Sequence, residues 1–172
     1  MTDPIIEAWR THCRLAFILL DAIPDEALAS STSHLHRSIG QIWAHVHNHR
    51  LDWLESAAPD LAAGLEKVGK EQAGNKARLN QALASSAQAI ESLLARSLAA
   101  EGHLEGFRGH VVTFFAYLVA HGAYHQGEIC LALTQTGWRL PKEVEYGIWE
   151  WQVRPEQSGG QKNNARAGAG SA

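Results

Sequence analysis

Cysteine is scarce in this chain of 172 residues, with only Cys13 and Cys130 present. They stand far apart and outside any Cys-x-x-Cys arrangement, so neither a disulfide framework nor a thiolate metal knuckle is available. Two buried free thiols are expected. Long apolar runs are lacking too, and none approaches the roughly 18 residues that a membrane span requires. The opening Met1-Thr2-Asp3-Pro4 carries no basic stretch of the kind that starts a secretory leader, which makes the cytoplasm the expected compartment. Basic clusters are missing as well, and the formal net charge is -3. Nucleic-acid binding draws most of its affinity from Lys and Arg neutralising phosphates, so neither DNA nor RNA is an expected partner. No internal repeat is evident.

The rest of the composition is that of an ordinary folded protein. Hydrophobic residues make up 45% of the chain and charged residues 19%, and the length suffices for one domain with a real core. One count departs from the ordinary: there are ten His, and they cluster.

Apolar residues at three- and four-residue steps predict four long helices. The first covers 4–21, with Pro4 suited to a first turn. A short turn of helix follows at 24–28, and 29–37 reads as a polar loop. Ser38-Ile39-Gly40-Gln41 has the form of a capping box, in which a Ser hydroxyl and a Gln side chain satisfy free N–H groups at a helix start, so the second helix runs over 39–57. A Gly-containing connection over 59–74 leads to an Ala-rich third helix over 75–99, capped by Asn75. The fourth, over 110–136, is the most apolar and ends at Gly137. Pro141 opens a short last element whose Val144, Tyr146, Ile148, Trp149 and Trp151 could cover an end or flank of the bundle. The expected fold is thus all-α: a four-helix bundle with a short additional C-terminal helix, occupying residues 1–153. The tail over 154–172, without apolar anchors, reads as disordered.

On the fourth helix, His121 and His125 are four residues apart and so lie on one face, within reach of a single ion. A helical wheel advancing about 100° per residue puts both on the shoulder of the apolar stripe. Buried imidazoles need partners, because an unsatisfied nitrogen costs about 1 to 3 kcal/mol. A metal and a set of ordinary hydrogen bonds are both open to this pair. The second helix adds His45-Val46-His47-Asn48-His49, from which a third ligand can come. By the same wheel, His47 and His49 lie about 80° from the apolar centre and His45 about 120° away, so periodicity alone favours His49. Three imidazoles suit zinc, nickel or another late divalent metal and leave coordination open for water or substrate. The His-Glu-x-x-His pattern of classical metalloproteases is absent, since Gly122 follows His121. Glu128, three residues past His125, is the one candidate catalytic residue, and it could orient a ligand, take up a proton or face solvent.

The run Val119-Ala120-His121-Gly122-Ala123-Tyr124-His125-Gln126-Gly127-Glu128-Ile129 is similar to the His-x-x-x-His-x-Gly-Gln-Ile signature of the DinB-like (YfiT-like) metalloenzyme family. Ser38-Ile39-Gly40-Gln41-Ile42-Trp43-Ala44-His45-Val46 resembles that family's second-helix motif, and Ile148-Trp149-Glu150-Trp151 resembles its usual end. The resemblance spans about residues 5 to 151. It implies a four-helix bundle, a metal held by His45, His121 and His125, and often a homodimer. Relatives include metal-dependent transferases and isomerases that act with low-molecular-weight thiols. This chain departs from the pattern at Gly122, where relatives often carry Asp, and at Glu128, where Gln is usual.

Three readings follow. The first is a metal-dependent enzyme, of transferase or hydrolase type, activating water or a thiol such as bacillithiol, mycothiol or glutathione against a small electrophilic substrate. The second is a non-catalytic metal-binding stress-response bundle, and the third assigns the histidines no metal. Trp43, Trp53, Phe114 and Phe115 are expected in the core. His34, His36, His103 and His110 are expected in or beside solvated loops, the first two near a pocket mouth. Arg37 and Arg50 could hold a carboxylate, with surface positions the simpler expectation.

Overall fold

The computed structural model describes residues 3–31 and 37–152. Six α-helices are found there: α1 (Pro4–Ala22), α2 (Ile39–Ala57), α3 (Pro59–Ala62), α4 (Lys76–Ala99), α5 (Val111–Gln135) and α6 (Lys142–Gly147). Single 3-10 turns occur at Asp25–Ala29 and Lys70–Gln72. The four long helices are those read from the periodicity, and among the described residues there is no strand. The expected tail, the C-terminal part of the loop before α2, and with it His34 and His36, lie outside the described residues.

Local chemistry sets the helix starts. Asp3 accepts a hydrogen bond from the Ile5 amide at 2.8 Å ahead of Pro4. At α2 the capping box is complete: the Gln41 amide donates to Ser38 Oγ at 3.3 Å, and the Ser38 amide donates to Gln41 Oε1 at 3.0 Å. Asn75 Oδ1 accepts from the Arg78 amide at 3.0 Å, and His110 Nδ1 accepts from the Val112 amide at 3.2 Å. Each such cap is worth about 1 kcal/mol. At the far end of α5, Gly137 takes a positive φ of 85°, and the Trp138 amide turns back to the Leu133 carbonyl at 2.9 Å.

In the bundle, α2 and α1 each pack against both α4 and α5, so α4 and α5 separate the first two long helices. Two apolar clusters fill the interior. One gathers Leu19, Leu20, Ile42, Trp43, Leu79, Ile129 and their neighbours. The other gathers Trp9, Leu54, Ile90, Leu94, Val111, Phe114 and theirs. Burying each such side chain contributes about 1.5 to 3 kcal/mol. On three of the long helices a buried polar residue lies between the parts belonging to the two clusters, His47 and Arg50 on α2, Ser86 on α4 and His125 on α5, and on α1 the buried His12 lies close to that boundary, beside Cys13. The core is therefore two apolar compartments with a polar layer between them.

Three expectations need correction. Arg50 is not on the surface: it is 5% exposed, its guanidinium lies 5.0 Å from the Trp9 ring centre, and it donates to the Leu83 carbonyl. Tyr146 and Trp149 do not cover the bundle, being 73% and 76% exposed; of that segment, Ile148 and Gly147 are the ones tucked inward. Cys13 is buried as expected, but Cys130 is only half-buried; both are free. Trp43 and Phe114 are core residues, with Trp53 and Phe115 at its margin. No helix among the described residues is long and apolar enough to cross a membrane.

Gly40 marks a close approach of two backbones. A Cβ built there would run into the backbone carbonyl of Ala73, which has no side-chain freedom with which to yield. Helix propensity alone would favour Ala at this position by about 1 kcal/mol. The clash reverses the sign, so Gly40→Ala is expected to destabilise the protein by about 1 to 3 kcal/mol in chemical denaturation. A neutral or stabilising result would show that α2 does not dock on Ala73.

Candidate metal centre

The site forms where α2 crosses α5 at the level of the polar layer. One ring nitrogen from each of His45, His121 and His125 lies within 4.8 Å of the others, so the three form a group that could hold a metal ion. The His45 ring centre is 5.3 Å from that of His121 and 4.7 Å from that of His125, and the pair on α5 is 4.5 Å apart. His125 is buried at 6% exposure, while His45 and His121 are half-buried. One side of the group is thus anchored in the core and the other reaches the surface.

Glu128 does not face solvent alone. Its Oε2 lies 2.6 Å from His125 Nδ1, and a carboxylate at this distance accepts, so Nδ1 carries the proton and donates. The lone pair of His125 is then at Nε2, which sits 3.2 Å from His121 Nε2. A carboxylate behind an imidazole in this way fixes its tautomer and raises its basicity, the usual support for a metal ligand.

The other two histidines of α2 are spoken for. His47 is buried, and its Nε2 donates to the Glu66 carbonyl at 3.0 Å, on the side of the connection before α4. His49 lies nearer the group, with its ring 4.1 Å from that of His121 at an angle of 32°. Its Nε2 accepts from the Trp53 indole at 3.2 Å and sits 2.6 Å from the Tyr117 hydroxyl. An indole N–H only donates, so that nitrogen is the unprotonated one and its lone pair is already engaged. The structure thus brings His45 into the group, although wheel geometry favours His49. The reason is that α2 is buried on most of its circumference, against α4, α3 and α5, and a single apolar stripe does not describe it.

The electrostatics favour neutral rings. Burial, followed by the charge of Arg37 and of the neighbouring rings, lowers the pKa of His45 to about 4. Burial and the adjacent His49, His125 and His45 lower that of His121 to about 3. Both rings are therefore unprotonated at neutral pH, the state in which an imidazole can donate to a cation.

His12 had no sequence signal, because α1 reads as a plain amphipathic helix. It is buried beside Trp9, with its Nε2 lacking a hydrogen-bond partner among the described residues, and burial followed by Arg50 lowers its pKa to about 4. It packs directly on Gly122, where an added Cβ would meet its imidazole. That contact accounts for glycine between the two α5 histidines.

The donor set fits a divalent transition metal: three nitrogen donors from two rigid helices, one braced by a carboxylate. The family model for the DinB family matches residues 1–157. No curated protein and no solved structure matches the chain. With a match that includes all four long helices and the histidine group, the chain belongs to the DinB family.

Proposed function

We propose that the chain holds one divalent transition metal, zinc or nickel, on His45, His121 and His125, and that it is a metal-dependent enzyme of transferase or hydrolase type. The observation carrying this reading is the convergence of the three ring nitrogens within 4.8 Å. Three protein donors are fewer than such a metal takes, which favours chemistry over a purely structural role. When bound, the cation lowers the pKa of a coordinated water or low-molecular-weight thiol and so supplies a nucleophile for a small electrophilic substrate. The chain's own contribution is positional. Glu128 keeps the proton of His125 on Nδ1 and so its lone pair at Nε2. The Tyr117, His49 and Trp53 contacts pack His49 against His121 and hold that ring in place.

Cytoplasmic residence and a homodimer belong to the same proposal. The first is supported by the two free thiols. For the second, every exposed residue of α5 is uncharged, including Ala116, Ala120, Ala123, Gly127 and Leu131, so two copies could pair α5 with α5 about a two-fold axis. Ala120→Arg is expected to convert the dimer to a monomer in light scattering; a wild-type monomer would remove the homodimer, and a variant that still dimerises would remove the α5 pairing.

Metal analysis of the purified protein is expected to find about one equivalent of zinc or nickel. His45→Ala, His121→Ala and His125→Ala should each abolish most of it, and Glu128→Gln should weaken affinity by about 10- to 100-fold. Retention of full stoichiometry in all three alanine variants would falsify the assignment. Thiol transfer from glutathione to a model electrophile, with His125→Ala beside wild type, tests the enzyme itself. Equal turnover leaves the alternative, a non-catalytic metal-binding bundle.

Two pH effects follow from the lowered histidine values. Protons compete with the metal only once a ring titrates, so His45 and His121 should stay available to the ion as pH falls past about 6.5, where an ordinary imidazole begins to take up a proton. Stability of the metal-free protein runs the other way. Below about 6.5 the unfolded chain takes up protons that folded His12, His45 and His121 refuse until about 4, 4 and 3. Their contribution is therefore present above pH 6.5 and lost as pH falls toward those values, which denaturation at successive pH values will reveal as a decline with acidification.

A further inference from the structure

Beside the histidine group is a cavity of about 310 Å³ with a wall that no metal-binding role requires. His45 lines it from α2, together with the adjacent Ala44 and Gln41 one turn earlier, and the connection before α4 closes the other side with Val68 and Lys70. Arg37, just before α2, completes the lining at the N-terminal end. The volume is at the lower end of the range for small-molecule sites, about 300 to 1,000 Å³.

The charge is one-sided. Arg37 and Lys70 both border the cavity, and none of its lining residues is acidic. The ion pairs of the described residues engage Arg10, Lys67, Lys76, Arg78 and Arg96, but neither of these two. Two cations thus border one cavity with no carboxylate among its lining residues.

The wall is also rigid. The Asn48 side chain donates to the Val68 carbonyl at 3.0 Å and accepts from the Val68 amide at 2.8 Å, tying the connection to α2. The Gly40 contact with Ala73 fixes the same two segments one step further along. Gln41 Oε1 is occupied by the Ser38 amide, which leaves its NH2 group as a donor. Arg37 also stands close enough to His45 for its charge to reach that ring.

We propose that this cavity is an anion-binding subsite, which takes a small organic molecule through a terminal carboxylate or phosphate held by Arg37 and Lys70 and directs the remainder of that molecule toward His45. Arg37 supplies the planar fork that matches such a group, Lys70 adds a point charge, and the Gln41 amide is a third donor. The orientation toward His45 rests on the reading of the histidine group as the reactive centre; recognition of the anion does not.

The test is binding to the full-length chain, followed by amide NMR, with 4-phenylbutyrate and phenyl phosphate as probes and 4-phenylbutyramide as the uncharged control. Measurements are made both after metal removal and with one equivalent of zinc. Both anions are expected to shift the amides of Gln41, Gly69 and Lys70 in the metal-free protein, and the amide control to leave them unmoved. Arg37→Gln should weaken anion binding by about tenfold or more and Lys70→Gln by a few-fold, while Arg37→Lys retains part of it. Added salt should weaken binding to wild type and have less effect on Arg37→Gln. Thermal melts of each variant show that it is folded, as expected for exposed positions. The proposal is overturned if the anions and the control bind alike, if Arg37→Gln binds as wild type does, or if the anions bind only when zinc is present. Failure to bind zinc, with anion binding intact, would remove the metal reading and leave the subsite standing.

Discussion

A buried imidazole must meet either a hydrogen-bond partner or a cation, and in this bundle that requirement falls between two apolar compartments. His12, His47, Arg50 and His125 all lie at that level. His12 leaves its Nε2 without a partner among the described residues, and the other three are stabilised differently. His47 takes a backbone carbonyl, Arg50 combines a carbonyl with the Trp9 face, and His125 uses the carboxylate of Glu128 at one nitrogen while its other nitrogen turns to the histidine group. At His125 the polar layer extends outward, through His121 and His45, to a place where a ligand could enter. The site is the surface end of a layer that the core itself contains.

Backbone approach controls access to that layer. Gly122 admits the His12 ring between two α5 turns, and Gly40 admits the Ala73 carbonyl against the first turn of α2. Both are helical positions where glycine is intrinsically unfavourable by about 1 kcal/mol, so the gain lies in what each lets through. At Gly122 this is the packing of α1 on the back of the histidine helix. At Gly40 it is the wall of the cavity that borders His45.

Much of this architecture was legible beforehand. The extents of α1, α2, α4 and α5 follow from apolar periodicity and from caps such as Ser38 with Gln41, which act within a few residues and need no tertiary contact. The i, i+4 spacing of His121 and His125 is equally local. His45 is a different matter. Its angle on α2 argued against it, and only family resemblance singled it out, because a helix packed on three sides has no single inward face. Arg50 departs from the surface position expected of a cation for the same reason, since α2 has little surface to offer.

The chain by itself determined its helices, their caps and the pairing of two histidines on one face, because these depend on interactions spanning three or four residues. Tertiary structure decided which α2 ring meets that pair, that His12 fills the space above Gly122, and that Arg37 and Lys70, remote in sequence, border one cavity. Those outcomes depend on where whole helices cross and how the connections fold over them, and no spacing along a single helix carries that information.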